Sequence, residues 1–126
     1  MAIRIVCLAS PRTPGEGLRI GTVRRPPRGV PKAQLNSFYD VWLPSLAPSA
    51  PLVKSGLAAK TPAQWRNFQR RYRAEMNRPD PRHLLDVLAL LSRSADFSVG
   101  CYCEDEARCH RSILRELLVE RRAELA

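Results

Sequence analysis

Three adjacent residues, Cys109, His110 and Arg111, carry the most reactive chemistry in this chain. They follow a short apolar run, FSVGCYC at 97–103, and precede the amphipathic spacing of Ile113, Leu114, Leu117 and Leu118. That order predicts a strand, a charged turn over 104–108, and a final helix that begins at the cysteine. A strand-to-helix junction gathers free backbone N–H groups and the positive end of a helix dipole, so it favours anions. A thiol in the first turn there can titrate in roughly the 3.5–7.5 range and act as a nucleophile. His110 would then serve as the proton partner, and Glu104 would orient it or share its acid–base work. Arg108 and Arg111 would hold a phosphate or carboxylate in two-point fashion. The acids Glu104, Asp105 and Glu106 would compete with such an anion.

Other readings stand beside this one. Cys109, Ile113 and Leu117 recur every four residues, so the cysteine also fits as the first packed residue of a helix face, with His110 at the surface. The thiol phosphatase loop, Cys-x5-Arg, is absent: Arg108 follows Cys103 one position too early and Cys101 one too late. Cys101, Cys103, Cys109 and His110 are the right ligand types for zinc. Zinc motifs usually pair ligands two to four residues apart across a turn, whereas Cys101 and Cys103 sit on a strand and Cys109 and His110 are adjacent, so convergence of all four is awkward. No metal site and no cofactor are therefore expected.

A second feature is charge. Of 21 Lys and Arg, 14 fall in residues 1–78, against only Glu16, Asp40 and Glu75. Arginine predominates, and its planar fork suits phosphate and carboxylate oxygens. Arg24, Arg25 and Arg28 lie in a proline-broken loop, RRPPRG, that follows a strand. Arg66, Arg70 and Arg73 recur at helical spacing with no acid three or four residues from any of them. Arg24 and Arg28 would add to an anion site at the Cys-His-Arg turn. Together with Arg25, the stripe at 66–73 offers instead a face for nucleic acid or another polyanion. A structural or partner-binding protein is the third alternative.

The elements that must position these groups are legible in outline. Ile3, Ile5 and Cys7 alternate as a first strand, and Leu18 to Val23 forms a second after the loop SPRTPGEG. Leu35, Phe38, Val41 and Trp42 fit one face of a helix over 31–46, while 52–60 leave a choice between irregular chain and a short helical turn. Thr61-Pro62-Ala63-Gln64 is a capping box opening a helix to Asn77, whose inner face carries Trp65, Phe68, Tyr72 and Met76. Asp80-Pro81 opens another helix, running to Arg93. The expected fold is α/β: a small three- to four-stranded, mostly parallel sheet with four to five helices, one domain over 1–126. No run of roughly 18 apolar residues is present to span a membrane. Three of the four cysteines crowd into nine residues, which fits reduced thiols in a cytoplasmic protein.

RGV at 28–30, WLPSLAPS at 42–49, WRNFQRRYRAEM at 65–76 and CHRSIL at 109–114 together resemble the YeaO-like family, domain of unknown function 488. The resemblance spans nearly the whole chain and implies a compact α/β domain. It places the family's basic loop at Arg24 and Arg28-Gly29, its terminal motif at Cys109, His110 and Arg111, and its preceding acid at Glu104. The chain departs from the family pattern at Val23 and Pro26, where an Asp and a Trp are common. It departs again at Tyr102, where a cysteine is common and Cys101 and Cys103 stand on either side.

Overall fold

A computed structural model describes residues 1–126. Four strands, β1 (Ile3–Cys7), β2 (Leu18–Gly21), β3 (Val41–Trp42) and β4 (Phe97–Cys101), form one sheet in the order β1-β4-β2-β3. Every pairing is parallel. Four helices accompany it: α1 (Ala50–Ala58), α2 (Pro62–Met76), α3 (Pro79–Leu91) and α4 (His110–Glu120). This is the small α/β architecture that the sequence predicts.

β4 pairs with β1 on one side and β2 on the other, and all five of its residues are buried. A strand covered on both faces reads as a continuous apolar run rather than an alternating one. Gly100 is required in it, because a Cβ there would lie 2.6 Å from the Val6 carbonyl oxygen. Ile3, Leu46, Leu52, Phe68, Tyr72, Leu85, Val99 and Ile113 belong to the main core between sheet and helices. A smaller cluster, Leu8, Val23, Tyr39, Cys101 and Cys109, closes the carboxyl ends of the strands.

Several boundaries differ from expectation. No continuous helix forms over 31–46; two 3-10 turns, Lys32–Ser37 and Pro44–Leu46, flank the short β3. Pro31 and Pro44 bracket the segment, and Tyr39 is drawn under the sheet, where its ring fills the space a Cβ on Gly21 would need. The ambiguous stretch at 52–60 belongs to α1, whose Pro51 lies in the first turn, where no N–H is needed. β2 ends at Gly21, so the chain turns away before Val23, and β4 ends at Cys101 rather than Cys103. The 104–108 turn contains a 3-10 turn at Glu106–Arg108.

The capping box of α2 forms as expected: Thr61 accepts from the Gln64 N–H at 3.1 Å, and the Gln64 side chain accepts from the Thr61 N–H at 3.2 Å. Thr61→Ala is expected to lower stability by about 1 kcal/mol. Urea denaturation should show this as a shifted midpoint with an unchanged slope.

Candidate functional site

The basic loop is held by its own backbone carbonyls. The His110 Nε2–H donates to the Thr22 carbonyl at 2.8 Å, the Trp42 Nε1–H to Val23 at 2.7 Å, and the Tyr102 hydroxyl to Arg25 at 3.3 Å. Arg24 completes the clamp from the side-chain direction, donating to the carbonyls of Pro48 at 3.0 Å and Ala47 at 3.1 Å. Arg24 is thus a positioning group, its guanidinium committed to the loop facing it. Arg25 and Arg28 are exposed and make no side-chain hydrogen bond or ion pair within the chain.

These contacts bring the basic loop beside the Cys-His-Arg turn at the carboxyl ends of the strands, where parallel α/β sheets commonly bind ligands. One cavity of about 840 Å³ runs between them. Its wall includes Arg24, Arg25 and Arg28 from the loop, Lys54 from α1, Trp65 and Phe68 from α2, and Arg108, Cys109 and His110 from the turn. Cys101 and Cys103 lie on the same wall. No Asp or Glu lines it. The Arg108 guanidinium stands 5.4 Å from the Trp65 ring centroid, a cation–π contact that props it at the rim.

The acids expected to compete with an anion are turned elsewhere. Glu106 accepts from Arg115 at 2.7 and 2.9 Å, Asp105 accepts from the Ala107 N–H, and Glu104 is exposed without a side-chain hydrogen bond. Glu104 therefore does not orient His110; the Thr22 carbonyl does. Because a carbonyl only accepts, Nε2 must carry a proton. Nδ1 then faces the Cys109 sulfur, 3.7 Å away. His110 is buried rather than at the surface, edge-on to Tyr72 with ring centroids 5.4 Å apart.

Cys109 caps α4 with extended backbone, and its side chain is 3% exposed. It is packed, as the helix-face reading expects, yet it also borders the cavity. The sulfurs of Cys101, Cys103 and Cys109 all lie within 4.8 Å of one another. The convergence made awkward by strand alternation is therefore reached by three of the four residues, because β4 stops at Cys101 and frees Cys103 from the pleat. Donation from the Cys101 and Cys103 thiols, and then His110 beside it, hold the Cys109 thiol far below its ordinary value in spite of burial. The Cys101 thiol is pushed up by its hydrogen bonds to Cys103 and Cys109 and by burial.

Arg111 is not an anion ligand on the cavity wall. It is 3% exposed, donates from Nη2 to the Cys103 carbonyl, and has no acidic partner. Its buried Nε has no hydrogen-bond partner at all. The Cys103 thiol is lowered by the hydrogen bond from Cys101 and, least, by the Arg111 charge, but Cys109 and burial raise it further, so it lies above its ordinary value. The arginine stripe of α2 is also not uniformly free: Arg73 bridges Glu116 at 2.7 Å and Glu120 at 2.9 Å across to α4, and Arg70 bonds the Asn67 side chain. The acid partners lie more than 40 residues away, beyond any reading of α2 by itself. Lys54, on α1, is the basic group at the cavity that the sequence did not single out.

A family model described as the active DUF488-N3 subclade matches residues 3–122. No curated protein and no solved structure matches the chain.

Proposed function

The chain belongs to the DUF488 family of domains of unknown function, and on that premise we propose that it binds an anionic small molecule in the cavity between its basic loop and its Cys-His-Arg turn. Arg25, Arg28, Lys54 and Arg108 contact the anion, Arg24 holds the loop in place, and Cys109 presents its sulfur to the bound molecule with His110 as proton partner. The observation that carries this reading is a wall with five Lys or Arg side chains, no carboxylate, and sulfur and imidazole among its lining. The volume of about 840 Å³ suits a small ligand. Charge-assisted hydrogen bonds to phosphate or carboxylate are the strong ones, and Arg presents them in pairs.

The test is protection from alkylation. In chelator-treated protein, inorganic phosphate is expected to slow iodoacetamide labelling of Cys109 in proportion to occupancy. Labelling of Cys7, which lies outside the cavity lining, should proceed at its original rate. Identical Cys109 rates with and without phosphate, or a Cys109 inert in the native protein, would overturn the reading.

A further inference from the structure

Three sulfurs on the cavity wall form a set with its own geometry. Cys101 and Cys103 stand 3.7 Å apart at Sγ, and Cys109 Sγ completes a triangle with no side above 4.8 Å. A tetrahedral ion with sulfur ligands at about 2.3 Å separates neighbouring sulfurs by roughly 3.8 Å. The side chains therefore stand within small rotamer adjustments of a ligand set.

We propose that Cys101, Cys103 and Cys109 bind one thiophilic divalent cation of the Zn²⁺ class, with its fourth coordination position open to the basic cavity. Two of the ligands are fixed by regular structure. Cys101 ends β4, paired with Cys7, and its carbonyl accepts from the Leu8 N–H at 2.8 Å; Cys109 caps α4. Cys103 lies on the irregular link between them, and its sulfur is already at ligand spacing from that of Cys101. Thiolate ligands select zinc-like cations over Mg²⁺ or Ca²⁺, which take oxygen ligands, and no carboxylate belongs to this set. Three protein ligands with an open fourth position is the pattern of catalytic zinc, whereas structural zinc is closed by four.

Arg111 supplies an independent reason. Three thiolates around a dication leave one net negative charge. A guanidinium that is 3% exposed, has no acid partner and rests on the Cys103 carbonyl is the matching countercharge. Buried charges are ordinarily paired, and no carboxylate pairs with this one. His110 stands in the outer shell with its Nε2–H fixed on the Thr22 carbonyl, and in its doubly protonated form Nδ1–H would donate to the Cys109 thiolate. Cation binding goes beyond the anion-binding reading and does not depend on it.

The experiment is anaerobic titration of the reduced, metal-stripped full chain with Co²⁺. One equivalent is expected to produce a near-ultraviolet thiolate-to-cobalt charge-transfer band and the visible bands of a tetrahedral site, both removed by Zn²⁺. In the Zn²⁺-loaded chain, Cys7 alone of the four cysteines should still react with a thiol reagent. Cys7→Ser should titrate as wild type. Cys103→Ser removes a half-exposed side chain, with folding checked by far-ultraviolet circular dichroism. It should weaken Zn²⁺ binding by more than about 100-fold, beyond the loss of an outer-shell partner. A folded wild-type chain with no charge-transfer band, four thiols equally reactive with and without Zn²⁺, or Cys103→Ser binding like wild type would each overturn the proposal. These titrations contain no phosphate, so their outcome is separate from the alkylation result.

Discussion

Replacing Arg19 with leucine is expected to destabilise the protein by roughly 3–5 kcal/mol at pH 7, one of the two largest effects predicted for this chain. Arg19 is fully buried, and its Nε donates to the nearly buried carboxylate of Glu16. Its two terminal nitrogens donate to the carbonyls of Leu8 at 3.2 Å, Ser10 at 3.0 Å and Pro11 at 3.1 Å. One side chain thus pins the β1–β2 loop to the sheet. Leucine would leave those carbonyls unpaired and strand the Glu16 charge, with only the Thr13 N–H and hydroxyl still donating to it. Burial pushes the Glu16 carboxyl up, but Arg19 and Thr13 together hold it below its ordinary value. The sign follows: the pair stabilises the wild type above the unfolded carboxylate pKa, and this is lost as pH falls through the lowered folded value. Without Arg19, burial dominates, the Glu16 pKa rises, and protonation relieves the variant as pH falls toward about 4. Urea denaturation at both pH values should therefore show a gap between wild type and R19L that narrows at the lower pH. A pH-independent gap under about 1 kcal/mol would show that the buried pair has little influence on the fold. The Glu16→Leu, Arg19→Leu double variant should recover part of the loss, since replacing both partners strands neither.

That arginine also shows where the sequence stops being legible. Alternation at 3–7, the capping box at 61–64 and the spacing of Ile113, Leu114, Leu117 and Leu118 were readable because each follows from neighbours in sequence. Arg19 counts toward the basic excess and Arg111 toward the anion site, yet both are buried, and their environments are set by segments that spacing does not connect. The segment at 31–46 has helical periodicity, yet of that set only Leu35 and Phe38 are half-buried, while Val41 and Trp42 are exposed on the edge strand β3. What breaks the helix is tertiary: Asp40 accepts from the Arg19 N–H and the Arg12 guanidinium, both at 2.8 Å, and Val41 pairs with Ile20. The Cys-His-Arg turn was found from chemistry and local order alone. Its meeting with the basic loop was an expectation that only long-range hydrogen bonds, from His110, Trp42 and Tyr102, could turn into geometry. The sulfur triangle was missed because alternation was extended two residues past the true end of β4.

Charge reversal in the basic loop separates a ligand in the cavity from a polyanion spread along α2. The double variant Arg25→Glu, Arg28→Glu is expected to reduce phosphate protection of Cys109 by roughly two to four orders of magnitude in apparent affinity. Each charge-assisted hydrogen bond is worth about 1.5–3 kcal/mol, and reversal adds repulsion at the same wall. Stability should change by no more than about 0.5 kcal/mol, because both side chains are exposed and neither makes a hydrogen bond or ion pair within the fold. Arg66→Glu with Arg70→Glu places the same charge change on the outer face of α2, away from the cavity lining. It should leave phosphate protection intact, because screening confines exposed charges to a range of about 10 Å at moderate salt. The opposite pattern, in which the α2 variant loses binding and the loop variant keeps it, would move the site to the helix stripe. Binding to duplex nucleic acid would then have to fall with salt at a slope of about −0.9 per phosphate neutralised. Arg73 adds little to such a stripe, since Glu116 and Glu120 already neutralise it. The loop, by contrast, presents two uncommitted guanidinium groups to a wall without carboxylates, and that asymmetry is why the loop variant should carry the larger effect.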